Sequence, residues 1–175
     1  EARFRLAQSH QARGDYGLAE KFYDGLINDR LNNEVGRGIG PFADRSYVPL
    51  AQCFLLDSDA TNDANAESLL KYVVNGGLGD PSMPGYREAV LELGQFYYKT
   101  GRYAEAIEQL ARAESLYAGD PRLDMVRFRL ADGYRLEASA IARSLEDAMP
   151  DQDRRELESR RRDWLTAAMG LFQKV

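Results

Sequence analysis

The sequence predicts an all-α fold, a right-handed superhelical stack of about four helical hairpins with long terminal helices. Three observations carry that prediction. The string Arg3-Phe4-Arg5-Leu6-Ala7 recurs letter for letter as Arg127-Phe128-Arg129-Leu130-Ala131, and Leu50-Ala51 and Leu93-Gly94 echo it in between. The four leucines are 44, 43 and 37 residues apart, and an echo of that length marks stacked helical hairpins. Apolar residues fall at helical spacing, as in Val90, Leu93, Gly94 and Tyr97, which share one face. No segment alternates apolar and polar residues as a half-buried strand would. The chain reads as one domain over 1–175, with units at about 1–35, 42–75, 86–119 and 122–175.

The first unit is written as Leu6-Ala7 and His10 on one helix, Gly14 at the turn, and Tyr16, Ala19, Tyr23 and Leu26 on the next. The second places Leu50-Ala51 and Phe54 on its first helix and Ala66, Leu70 and Val73 on its second, across a long polar turn from Asp57 to Asn65. The third is the clearest. Thr100-Gly101-Arg102 interrupts the Val90–Tyr97 stripe, with Gly101 suited to the left-handed conformation that ends a helix. Tyr103 restarts the pattern, Ala106, Leu110 and Ala113 form the second stripe, and Asp120-Pro121 stops it. Gly94 and Ala106 are small where two helices would cross closely, and Tyr97 and Tyr103 fill the space beside them.

The fourth unit keeps Leu130-Ala131 and Tyr134 but lacks a turn glycine. Its stripe continues through Ala138, Ile141 and Leu145, which predicts one unbroken helix from about Arg122 to Ala148. Pro150-Asp151 ends it, with Asp151 as N-cap of a last helix carrying Leu157, Trp164, Leu165, Ala168 and Phe172 on one side. Two connections, Asn28 to Pro41 and Asn75 to Gly85, are long and glycine-rich. Loops of that length are often functional or mobile.

Leu93-Gly94, Tyr97, Gly101, Tyr103, Ala106, Leu110, Ala113 and Pro121 together resemble the tetratricopeptide repeat, with the proline about three residues late. The resemblance extends to the other three units and implies a superhelix that binds another protein or peptide and does no chemistry. The Phe-Arg-Leu-Ala helices and Gly-Asp-Tyr turn are also similar to bacterial envelope repeat proteins, the outer-membrane assembly lipoproteins and the Tol-Pal coordinator. That likeness favours periplasm or cell envelope over cytoplasm, although no lipidated cysteine or signal is present in this sequence. The carboxylate clamp of chaperone-binding repeats uses asparagines with Lys or Arg on the inner helices. Here Gln8, Gln52, Gln95 and Asp132 stand in the asparagine positions, which argues against a clamp.

Composition excludes several other classes. A net charge of -5 and a pI near 5.0 argue against general nucleic-acid binding, which needs a basic stripe. No apolar run reaches the roughly 18 residues of a membrane span. The chain opens at Glu1 already inside a helical pattern, which reads as a piece of a longer protein. Cys53, the only cysteine, lies in an apolar stretch and reads as a small hydrophobe.

Candidate chemistry is sparse, and no cofactor or metal is expected. Gly36-x-Gly38-x-Gly40 resembles a phosphate-cradling loop, but no strand precedes it and Pro41 follows at once, so a plain connecting loop is the better reading. His10, the only histidine, takes the slot of Tyr97 and Tyr134 and reads as a packed residue. There is no second histidine for a zinc site and no base to activate Cys53. Arg154-Arg155 and Arg160-Arg161-Arg162 suggest an anion patch. Glu156 and Glu158, each four residues before an arginine, make a solvated helix face the plainer reading.

The functional expectation rests on the first helix of each hairpin. Superimposed, these helices put Arg5, Gln8 and Gln11 on the concave side, then Gln52 and Leu55, then Glu92, Gln95, Tyr98 and Lys99, then Arg129, Asp132 and Arg135. Amides, arginines and one exposed tyrosine suit a polar peptide better than an apolar helix. A protein or peptide partner is therefore expected, with no nucleic acid. The alternative is a structural or oligomerisation domain of a larger envelope component, secretion component or multidomain enzyme, self-associating through its terminal helices.

Overall fold

The computed structural model describes residues 1–32, 40–57, 59–78 and 81–175, with the side chain of Pro84 left aside. These residues are all-helical: α1 Ala2–Ala12, α2 Tyr16–Leu31, α3 Gly40–Asp44, α4 Tyr47–Leu56, α5 Asp63–Tyr72, α6 Pro84–Lys99, α7 Tyr103–Leu116, α8 Leu123–Ser144 and α9 Asp151–Phe172. No strand occurs among the described residues. The pairs α1/α2, α4/α5, α6/α7 and α8/α9 are the four hairpins. The chain divides into two compact units, 1–92 and 93–175, with the division falling inside α6. Among the described residues, no helix is long and apolar enough to cross a membrane.

In the first unit α1 packs on α2, α2 on α4, and α4 on α5. Phe4, Tyr23, Leu50, Leu70 and Val90 are buried, as are the small Ala7, Ala19, Ala51 and Ala66. A fully buried Leu or Val side chain contributes about 1.5–3 kcal/mol. The α1/α2 turn forms because Gly14 takes φ +78°. The Gly14 amide donates to the Gln11 carbonyl at 3.0 Å and the Asp15 amide to the His10 carbonyl at 3.0 Å, which satisfies the carbonyls at the end of α1. His10 stacks on Phe22 at 5.7 Å and accepts from Arg13 at 3.0 Å, a packed and hydrogen-bonded residue as expected.

In the second unit α7 packs on α8 and α8 on α9. The α6/α7 turn repeats the geometry of the first, with Gly101 at φ +76° and the Arg102 amide donating to the Tyr97 carbonyl at 2.9 Å. Gly94 is small for the expected reason. A Cβ there would lie 2.9 Å from Leu110 Cδ2 on α7, closer than such atoms approach.

Several expectations are corrected. Leu6 is 43% exposed, while Phe4 and Ala7 are the buried residues of α1. Its counterparts Leu50, Leu93 and Leu130 are buried; α4 is packed by both α2 and α5 and α8 by both α7 and α9, whereas α1 packs on α2. The polar turn from Asp57 to Asn65 is shorter than read. A 3₁₀ turn fills Ala60–Asn62 and α5 begins at Asp63. The Asn28–Pro41 connection is shortened from both ends, since α2 runs to Leu31 and α3 starts at Gly40. Its glycines Gly36 and Gly38 lie outside the described residues. The Asn75–Gly85 connection begins inside a widened turn, Val73–Gly77, which breaks at Gly76 with φ +87°.

The fourth hairpin differs in detail as well. Its first helix ends at Ser144, before the expected Ala148. Asp151 is the first helical residue of α9 and Pro150 holds the cap position, with ψ 144°. The proline ring excludes α-helical geometry for the residue before it and suits the start of a helix. On α9 it is Ala168 and Leu171 that are buried, while Phe172 is exposed. Arg154, read with the other arginines of α9 as part of a solvated helix face, donates to the Leu145 carbonyl at 2.9 Å and the Asp147 carbonyl at 3.3 Å. It satisfies orphan carbonyls where α8 ends.

Candidate partner-binding site

Some of the first-helix side chains singled out in the sequence are hydrogen-bonded to one another within each unit. In the first unit the Tyr23 hydroxyl donates to Gln11 Oε1 at 2.9 Å, Gln11 Nε2 to Gln52 Oε1 at 3.4 Å, and Gln52 Nε2 to Glu92 Oε1 at 2.8 Å. Every donor points the same way along this chain, which ends on a carboxylate, so each bond polarises the next. In the second unit Arg129 Nη1 donates to Gln95 Oε1 at 2.5 Å and the Tyr98 hydroxyl to Asp132 Oδ2 at 2.6 Å. Arg135 Nε donates to the other Asp132 oxygen at 2.8 Å.

A simple register governs these contacts. The bonded partners are 41, 40, 34 and 34 residues apart, against leucine intervals of 44, 43 and 37 for the same hairpins. Each bond therefore steps back three residues, close to one helical turn, on passing to the next first helix. The rule accounts for the members that find no such partner. Arg5 and Gln8 are exposed on α1, and Arg5 pairs with Glu1, the residue just before that helix, at 2.8 Å. Arg135 is exposed on α8, the last first helix among the described residues, and Lys99 is exposed at the end of α6. Leu55 is half-buried.

Tyr97 is buried and Tyr98 half-buried, the register expected from the sequence. The hydrogen bond to Asp132, then partial burial, push the Tyr98 hydroxyl up to about 12. Its ring meets Tyr103 edge-on at 5.9 Å. Burial alone does most of the same for Tyr23, also pushed to about 12. Beneath α4, burial and then the Glu20 and Asp57 carboxylates raise the Cys53 thiol to about 12, so it packs as a neutral hydrophobe. No cluster of three metal-ligating side chains occurs among the described residues.

Sequence reasoning missed a cavity beside Gln52. It has a volume of about 500 Å³ and lies within the first unit, walled by Phe4, Val48, Pro49, Val73, Met83 and Tyr86. Arg45 stands at its edge, its guanidinium 5.6 Å from the centre of the Phe4 ring. α3 brings this about: Phe42 packs on Phe4 at 5.7 Å, and buried Ser46 ties α3 to α4 through its hydroxyl on the Phe42 carbonyl at 2.7 Å. No repeat pattern encodes α3, because it lies in the connection between hairpins. Its only sequence signal is the apolar Phe42-Ala43 just before the polar Asp44-Arg45-Ser46.

This architecture of antiparallel helix pairs defines a tetratricopeptide-type helical-repeat fold. Residues 64–130, from α5 into α8, match the model of the tetratricopeptide repeat family. Among solved structures, the chain is similar to the nearly identical TPR-like repeats of a protein assigned as a kinesin light chain in Podosopora anserina, with TM-score 0.59 and 17% identity. That match covers 98% of this chain and 90% of the other. A single-substitution variant of the same protein matches with TM-score 0.58 and 17% identity over 99% and 91% of the two chains. At that identity the likeness is one of fold. No curated protein sequence matches the chain. Repeats of this kind generally present surfaces to other proteins.

Proposed function

We propose that this protein is a non-catalytic scaffold that takes up a peptide or a segment of a partner protein on its first-helix faces. The cavity beside Gln52 carries the reading. Its walls are mostly apolar, with Asp44, Arg45, Gln52 and Glu88 among them, it has the size of a small-ligand pocket, and it adjoins a row of amides already fixed by hydrogen bonds. Such a surface binds an extended chain by placing one large apolar side chain in the cavity, with the polar row alongside it. Because the row is tied down in advance, little side-chain entropy is lost on binding. In the second unit Tyr98 is the anchor, presenting its ring while its hydroxyl stays on Asp132.

The test is selection of peptides from a random display library on the 175-residue chain, followed by fluorescence anisotropy with the selected peptides. Met83→Trp, at an exposed position on the cavity wall, should weaken binding about tenfold by filling the space, equivalent to about 1.4 kcal/mol. Tyr98→Ala should cost more than about 1 kcal/mol if the peptide reaches the second unit. Peptides that keep full affinity for both variants would refute the reading.

A further inference from the structure

We propose that the outer face of α8 and α9 is a docking surface for a second copy of this chain. Met125 and Phe128 lie one turn apart on α8 and are 45% and 50% exposed; Met169 and Phe172 lie one turn apart on α9 and are 60% and 40% exposed. Phe128 and Phe172 touch edge to face at 5.8 Å, so the two pairs belong to one patch. Val175, also exposed, follows on the same end of α9. Four large apolar side chains and an aromatic contact left open on one surface mark an interaction site rather than scattered exposure.

The contrast along α9 sharpens this. A helix face turned to solvent is ordinarily polar. α9 has such a face over Asp151–Asp163, where charged residues dominate. Past Trp164, which packs on Tyr134 at 6.3 Å, the polar cover ends and Met169 and Phe172 are exposed. The half of α9 that lies against the start of α8 is the half without polar cover.

Charge selects the occupant. Residues 93–175 hold 14 Lys and Arg against 14 Asp and Glu, while residues 1–92 hold 9 against 14 and so carry the whole net charge of -5. Two copies approach with least repulsion through the balanced unit. The residues bordering the patch bear both signs, Asp124 beside Met125 and Lys174 beside Val175. A two-fold interface is self-complementary and uses both signs at its edge, whereas a strongly acidic or basic partner needs a border of one sign. The methionines adapt to a copy of the same surface and make favourable contacts with its phenylalanines.

Light scattering on the eluting protein tests this at loading concentrations up to about 100 µM, where a micromolar dimer is populated. The expected mass rises toward twice the 19.7 kDa of one chain as concentration increases. Phe172→Glu and Met169→Glu, both at exposed positions, should return it to one chain with unchanged far-UV circular dichroism. Leu18→Glu, an exposed leucine of α2, should leave the dimer intact. A single-chain mass at every concentration would overturn the proposal, whatever peptide binding shows. So would a dimer that survives both α9 substitutions or is lost with Leu18→Glu.

Discussion

Two positions show how much one residue can decide. Gly94 lets α6 and α7 meet, since even a methyl there would press on Leu110 at 2.9 Å. Gly94→Leu should destabilise the fold by about 1–3 kcal/mol through overpacking, read as a lower urea midpoint. In a double-mutant cycle with Leu110→Ala the two costs should be less than additive, because the cavity left at Leu110 receives the new side chain. Asp120 acts at the entry to α8. It is buried, and Arg122 grips both its oxygens, Nε on Oδ1 and Nη2 on Oδ2 at 2.9 Å each, while the Arg122 amide adds a bond at 2.8 Å. Asp120→Ala removes the acceptor of a charge-assisted pair and should cost about 1–3 kcal/mol in the same measurement.

At the scale of elements, the two hairpin turns with the same hydrogen-bond pattern make a matched experiment. Gly14 and Gly101 sit at φ +78° and +76°, and a Cβ added to either would meet nothing within 4 Å. Space is therefore free and only backbone strain remains. Gly14→Ala and Gly101→Ala should each lose about 1–2 kcal/mol, the cost of left-handed backbone for an L-residue, checked by thermal melting. These turns are legible in the sequence because a positive φ needs glycine, and so is the close crossing at Gly94. The helix pairs are legible because the leucine markers repeat. α3 and the cavity it helps to shape are not, since a five-residue helix between repeats leaves no period to detect. The hydrogen-bonded row is half visible. Sequence places Gln11, Gln52, Gln95, Tyr98, Asp132 and the rest on first helices. Which residues pair depends on the one-turn step between neighbouring helices, a tertiary property that local spacing does not record. The exposure of Leu6 and Phe172 escapes the sequence for a related reason: repeat logic assumes a packed neighbour at every marker, and burial is set by tertiary contacts that spacing does not record.

For the molecule as a whole, the polar hydrogens it buries set its response to alkali. Cys53 rises from 9.0 to about 12, chiefly through burial. Tyr23 rises from 10.0 to about 12 for the same reason, and Tyr98 from 10.0 to about 12, chiefly through its bond to Asp132. Burial also raises Tyr47 and Tyr134. All of these are neutral in the folded chain at pH 8 and neutral in the unfolded chain as well, so stability there is insensitive to pH from this source. Above pH 9 the unfolded chain begins to release its thiol proton, and above pH 10 its phenolic protons, while the folded chain retains them. The unfolded state then binds fewer protons, and stability falls as pH rises. The stabilisation is complete below about pH 9 and is lost on the way to about pH 12. Urea midpoints should be flat from about pH 7 to 8.5 and decline steadily above about pH 9. Cys53→Ala should flatten the first part of the decline and Tyr23→Phe the second, since each removes one proton that folding holds. Tyr98 is half exposed, so Tyr98→Phe should flatten it least. A midpoint that stays level to pH 11 would mean that these groups ionise as readily in the folded chain as in the unfolded one, and that Tyr23 and Cys53 are not enclosed between α2 and α4.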